Sequence, residues 1–96
     1  MYARLTNISY PPGMRSEVVG VARGLPPILK EQRGFSGLLM LTDLSVGEGI
    51  IVSLWETEAD ANEGETNPSY IGQMSMVSSF LSERLAPETY QVDLQA

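Results

Sequence analysis

The chain has 96 residues, of which 43% are hydrophobic and 19% charged. This composition is typical of a globular protein, and the length allows one hydrophobic core, so we predict a single domain over residues 1–96. Six basic against twelve acidic residues give a net charge of -6, which disfavours nucleic acid and anionic membranes as partners. Cysteine and histidine are both absent, which excludes disulfides, thiolate chemistry and imidazole catalysis. The same absences remove thiolate and imidazole ligands, so we predict no metal.

The first half of the chain predicts a strand, a helix and a second strand. Tyr2–Ser9 is rich in strand formers and runs into a proline-rich turn. From Met14 to Leu29, apolar residues recur at three- and four-residue steps, which indicates a helix with one buried face. Pro26 and its neighbouring proline predict a kink or an early end near Leu25. Phe35–Thr42 has the length and composition of the second strand.

The second half predicts a hairpin, a helix and a last strand. A loop rich in Asp, Ser and Gly leads to Ile50–Trp55, a strand that pairs with the preceding one. Thr57 begins a short acidic helical turn, and Pro68 begins the second long helix, which Pro87 ends. Thr89–Gln95 alternates as the last strand. The buried stripe of the second helix is predicted at Ile71, Met74, Val77, Ser78, Leu81 and Leu85.

The order β-α-β-β-α-β predicts an α+β, ferredoxin-like fold, a four-stranded antiparallel sheet with both helices on one face. We assign Asn7 to the helix-covered face together with Ala3 and Leu5, and Arg4 and Ile8 to the other face. Because that other face is not purely polar, it needs a cover. We therefore expect a homodimer in which two sheets meet face to face. With no leader-like apolar run and no stretch approaching about 18 apolar residues, the cytoplasm is the expected location.

Nearly the whole chain resembles the antibiotic biosynthesis monooxygenase-like family (ABM domain) of the dimeric α+β barrel superfamily. The resemblance implies a homodimer with a ligand cavity in each protomer between helices and sheet, and it does not imply one activity. It rests on Tyr2-Ala3-Arg4, Pro12-Gly13, Gly34-Phe35-Ser36-Gly37, Trp55-Glu56-Thr57-Glu58 and Glu88-Thr89-Tyr90-Gln91-Val92.

Asn7 is the first candidate site residue, because an amide on the helix-covered face can orient a substrate oxygen. It matches an asparagine of the haem-degrading branch of the superfamily. That branch also has a tryptophan, near whose position Gly64 falls here, and a histidine, which this chain lacks. Haem degradation by that mechanism is therefore disfavoured. The alternative is an asparagine hydrogen-bonded to neighbouring backbone.

Trp55 and Tyr70 are the other candidates. The indole of Trp55 offers a large apolar surface and one donor for an aromatic ligand, with core packing as the alternative. Tyr70 contributes to an apolar wall, or else to the core. The residues that share this wall are Met40, Met74, Met76 and Phe80.

We interpret the charged residues as structural or solvated and not as parts of a site. Arg4, a cation on a covered strand, must be paired, and Asp93 and Glu56 are its expected partners inside or at the rim of the dimer barrel. An acidic run without histidine is interpreted as a solvated face. Its members are Glu56, Glu58, Asp60, Glu63 and Glu65.

Two functions are compatible with these residues. The resemblance implies a cofactor-independent monooxygenase acting on a small aromatic phenol or quinol, with Asn7, Trp55 and Tyr70 as catalytic candidates. The alternative is a non-catalytic dimeric protein that binds a small apolar or aromatic ligand or has a structural role.

Overall fold

The computed structural model describes residues 1–96. One antiparallel sheet of five strands carries four α-helices on one face, so the predicted α+β architecture is confirmed. A single 3₁₀ turn at Pro12–Met14 precedes the first helix. The elements are β1 Tyr2–Ser9, α1 Arg15–Ala22, α2 Leu25–Leu29, β2 Phe35–Asp43, β3 Glu48–Trp55, α3 Glu58–Glu65, α4 Pro68–Ser78, β4 Glu83–Arg84 and β5 Glu88–Gln91.

The last strand, predicted at Thr89–Gln95, is β5 at Glu88–Gln91, and a further short strand, β4, lies in the stretch predicted as helix; both pair with β1. Arg84 is opposite Ile8 and Glu88 is opposite Leu5. The chain between Arg84 and Glu88 is therefore one residue longer than the part of β1 between Leu5 and Ile8. Pro87 lies in this interval and has no N–H to donate to a ladder. The extra residue reverses the alternation. Arg84 therefore shares the face of Ile8, whereas Glu88 shares the face of Leu5.

The first predicted helix is broken, as expected, just before Leu25, where α1 gives way to α2. The two prolines lie in the first turn of α2, where missing N–H groups cost nothing. The prediction that α4 continues to Pro87 is wrong, because this helix ends at Ser78. Leu85 lies outside it and is 50% exposed. The chain beyond α4 instead pairs with β1, and the N–H of Leu85 donates to the carbonyl of Asn7.

The core lies between the helices and the face of the sheet that carries Thr6 and Ile8, which are 6% and 3% exposed. The assignment of Asn7 to this face is therefore wrong, since it alternates with them, and the assignment of Arg4 and Ile8 to the other face is wrong too. Both faces of β1 carry apolar residues, so the sequence pattern did not distinguish them. The fully buried large side chains are Trp55, Leu25, Leu29, Met74, Val18 and Val77.

The opposite face of the sheet is open and apolar. Leu39 and Leu41 on this face are 53% and 50% exposed. Leu39 continues through Val52 to Leu5 in one cross-strand row. None of the helices combines the length and apolar character needed to cross a membrane.

Candidate functional site

A cleft of about 260 Å³ opens on the helix side of the sheet, where the end of α3, the length of α4 and the short strand β4 meet. One side of its wall is apolar and the other carries charged and hydroxyl groups. The lining residues are Glu65, Tyr70, Ile71, Met74, Ser75, Ser78 and Arg84.

Arg4 reaches toward this cleft from β1. Its side chain is only 13% exposed, and its Nε lies 3.3 Å from Oε1 of Glu65 without forming a hydrogen bond. Its Nη2 donates to Oδ1 of Asn62 on α3. The predicted partners of Arg4, Asp93 and Glu56, are therefore wrong. The cation is paired, as burial requires, but its partners lie on the helix side of the sheet.

Glu65 is the last residue of α3 and faces inward. Its side chain is 18% exposed and that of Asp60 is 13% exposed, so the prediction that the whole acidic run is solvated is wrong at these two positions. Burial raises the pKa of Glu65, and the positive charges of Arg4 and Arg84 oppose this shift. A carboxylate with a raised pKa is a stronger base than an ordinary one. Glu65 is thus the group in the cleft best suited to accept a proton.

Tyr70 lies in the cleft wall in the first turn of α4. This turn is fixed by Asn67, whose Oδ1 accepts hydrogen bonds from the N–H groups of Ser69 and Tyr70. Burial raises the pKa of Tyr70 to about 12, and the negative charge of Glu65 adds to the shift. The hydroxyl therefore stays protonated at neutral pH, so that it can donate a hydrogen bond to a ligand and cannot serve as a base.

Arg84 completes the polar side of the cleft. The reversed alternation at the divided edge strand places it on the helix side of the sheet, and its Nη1 donates to Oγ of Ser78 at 3.0 Å. Its backbone pairs with Ile8 at the end of β1, whereas Arg4 lies four residues earlier on the same strand. β1 and its edge strand thus bring two guanidinium groups to one carboxylate.

Trp55 lies in the core and does not line the cleft. It is fully buried, its Nε1 donates to Oγ of Ser53 at 2.8 Å, and its ring packs edge to face against Phe35 with centroids 5.5 Å apart. Gly64 of α3 packs directly against the indole. These contacts match the core-packing alternative and hold α3, which carries Glu65, against the sheet.

Asn7 lies on the open face, away from the cleft. Its Nδ2 is 3.4 Å from Oε1 of Glu88, and the hydroxyl of Tyr90 donates to Oε2 of the same carboxylate at 2.9 Å. A broad open groove of about 870 Å³ runs beside Asn7, Leu41 and Ile50. The three predicted site residues are therefore dispersed over the cleft, the core and the open face.

Sequence reasoning missed Arg4 and Glu65 as members of one site. A signal for Glu65 was present, because it lies four residues after Ala61, which is fully buried. Residues four apart share one face of a helix, so the carboxylate follows the buried stripe of α3. No comparable signal exists for Arg84, since its face depends on the extra residue in the edge strand.

No protein-family model and no curated protein sequence matches the chain. Solved structures do match it over nearly its full length. A protein of Bordetella bronchiseptica assigned to the antibiotic biosynthesis monooxygenases has a TM-score of 0.84 at 16% identity, covering 97% of each chain. One of Nitrosomonas europaea with the same assignment has a TM-score of 0.82 at 14% identity, covering 98% of this chain and 100% of the other.

A variant of SnoaB, a cofactor-independent oxygenase from Streptomyces nogalater, has a TM-score of 0.82 at 9% identity, covering 98% of this chain and 94% of that chain. At these identities the likeness establishes the fold alone. The chain therefore has the fold of the antibiotic biosynthesis monooxygenase proteins, as its resemblance to that family implied.

Proposed function

We propose that this protein is a cofactor-independent monooxygenase that oxidises a small phenol or quinol in the cleft beside Glu65. The observation that carries the proposal is the inward-facing carboxylate with a raised pKa, set next to a buried guanidinium and the donor hydroxyl of Tyr70. Similarity to an oxygenase that needs no cofactor supports the same reaction class. The volume of about 260 Å³ is below the ~300–1,000 Å³ of pockets for drug-sized ligands, which favours a substrate of one or two rings.

In the proposed reaction the substrate supplies the electrons and dioxygen is the oxidant. Glu65 accepts a proton from the substrate, and the resulting anion transfers one electron to O₂. The substrate radical and superoxide combine to form a C–O–O bond. Loss of the second hydrogen from that carbon and cleavage of the O–O bond then yield a carbonyl group and water. The net change is loss of two hydrogens and gain of one oxygen atom by the substrate, with the other oxygen leaving as water.

Arg4 and Tyr70 contribute electrostatics to this sequence. The guanidinium of Arg4, held in place by Asn62, favours the ionised form of Glu65, which is the form that can accept a proton. Tyr70 donates to the developing oxyanion. Preorganised donors of this kind stabilise the transition state in many enzymes, and each is worth about 10²–10³ in rate where measured.

Oxygen consumption with a panel of phenols and quinols of one or two rings tests the proposal. Replacing a general base lowers the rate by about 10²–10⁴, so Glu65→Gln is expected to abolish most turnover while preserving side-chain shape. Glu63→Gln is the matched control, because Glu63 lies on the same helix and is exposed. Equal activity of the two variants, or no turnover by the folded wild-type protein on any compound, would contradict the proposal. The second outcome favours a non-catalytic ligand-binding protein.

We also propose that the protein is a homodimer whose open sheet faces meet. The row from Leu39 through Val52 to Leu5, together with Leu41, makes this face a contiguous apolar surface. Large exposed apolar patches are uncommon on monomers and mark interaction sites. A second copy supplies an equally apolar and self-complementary cover, as isologous dimers require.

Sedimentation velocity tests the dimer through Leu39→Glu, which places a charge within the proposed interface. Because Leu39 is 53% exposed in the single chain, the variant is expected to fold and to sediment as a monomer. Met76→Glu is the control, since Met76 is 56% exposed on the helix side of the molecule. A monomeric wild-type protein, or a Leu39→Glu variant that remains dimeric, would refute the dimer.

A further inference from the structure

The charges of the cleft do not balance. Arg4 is paired with Glu65 at 3.3 Å, whereas Arg84 donates only to the neutral hydroxyl of Ser78 at 3.0 Å and has no carboxylate partner. The cleft region therefore carries one uncompensated positive charge in a protein whose net charge is -6. Unlike the other basic residues without a carboxylate partner, Arg84 lines the cleft, so its guanidinium can bind an anionic group of a ligand there.

Arg84 and Glu65 lie at different depths in the cleft. Arg84 is exposed, whereas Glu65 is mostly buried, and both line the same cleft. An anionic group bound at the outer arginine would leave the body of the ligand pointing inward. Met74 and Ile71 of α4 line the apolar wall along that path, and the hydroxyls of Ser75 and Ser78 lie on the same helix.

We propose that Arg84 is a specificity-determining residue and that the cleft selects aromatic monocarboxylates, specifically hydroxyaryl acids of one or two rings. The carboxylate binds the guanidinium of Arg84, the ring packs on the exposed side chain of Ile71, and the ring hydroxyl faces Glu65. This inference rests on the proposed function for the role of the hydroxyl end. A planar guanidinium suits a carboxylate because it can donate two parallel N–H bonds.

Binding is measured with 4-hydroxybenzoate and its neutral isostere 4-hydroxybenzamide, which share ring and hydroxyl and differ in charge. Calorimetric titration of the wild-type protein is expected to show about tenfold or tighter binding of the acid than of the amide, as for a charge-assisted hydrogen bond. Because the arginine is exposed, this preference should shrink as salt is raised from about 0.02 to about 0.5 M, concentrations that bracket strong and weak screening. Equal affinities, or no binding of either compound, would overturn the inference.

The variant Arg84→Gln is expected to reduce the acid-to-amide ratio to about twofold or less. Arg23→Gln, which removes the same charge from an exposed position at the end of α1, is expected to keep the wild-type ratio, and Arg84→Lys to keep part of it. A ratio that survives Arg84→Gln or collapses in Arg23→Gln would refute a specific site. The wild-type comparison needs no variant to fold.

The two proposals fail in different ways. If 4-hydroxybenzoate binds through Arg84 and no hydroxyaryl acid is oxidised, the acid-binding site stands and the monooxygenase is refuted. If the wild-type protein oxidises neutral phenols and neither binds nor oxidises the acids in preference to them, the monooxygenase stands and the selection of acids is refuted.

Discussion

The contact between Gly64 and Trp55 gives the most direct test of how the site is supported. A Cβ added at Gly64 would lie only 2.7 Å from Cζ3 of the indole. Trp55 is fully buried, and its Nε1 is hydrogen-bonded to Ser53, so its ring has no free space into which to move. The variant Gly64→Ala must therefore shift α3 away from the sheet or strain the tryptophan.

The expected loss of stability is obtained by comparing Gly64→Ala with Gly20→Ala. Gly20 lies within α1, and a Cβ there meets nothing within 4 Å. Both variants gain about 0.8–1 kcal/mol of helix propensity over glycine, so their difference isolates the steric cost. Overpacking of this kind costs about 1–3 kcal/mol. We expect the alanine at position 64 to lower the free energy of unfolding by about 2 kcal/mol relative to the alanine at position 20.

The assay is urea unfolding followed by tryptophan fluorescence, which reports on the only indole of the chain, with thermal unfolding as a second measure. For a domain of this size each kcal/mol corresponds to about 4–8 °C in Tm. Two alanine variants of equal stability would refute the close packing of α3 on Trp55, and with it the account of how Glu65 is positioned.

Two further predictions concern the cleft. Because the pKa of Glu65 is raised in the folded state, this residue stabilises the fold below its unfolded pKa, and the contribution is lost as pH rises through the folded pKa. The urea midpoint of the wild-type protein should therefore fall relative to that of Glu65→Gln as pH rises from about 4. A difference between the two midpoints that does not change with pH would contradict the raised pKa. Asn67→Ala should lower the free energy of unfolding by about 1 kcal/mol, because two hydrogen bonds that cap α4 are lost. Asn67→Asp keeps a capping oxygen and should retain the wild-type stability. Equal losses of stability in the two variants, measured by urea unfolding, would show that the cap is not the cause.

The site shows why alternation alone was insufficient. In a strand, alternate residues necessarily point to opposite faces, so the sequence correctly separated Asn7 from Arg4. It did not say which face the helices would cover, because Leu5 on one face and Ile8 on the other are equally apolar. That choice was made by the packing of Val18, Leu25, Leu29, Met74 and Val77 against the sheet.

The sequence by itself determined β1, the broken first helix, the hairpin of β2 and β3, the start of α4 and the α+β architecture. These features follow from local causes, namely hydrophobic periodicity, proline and glycine positions and capping side chains. Only the tertiary structure decided that Arg4, Glu65 and Arg84 meet in one cleft. Their meeting depends on which sheet face is covered and on one extra residue in the edge strand, and both are set by contacts between residues far apart in the chain.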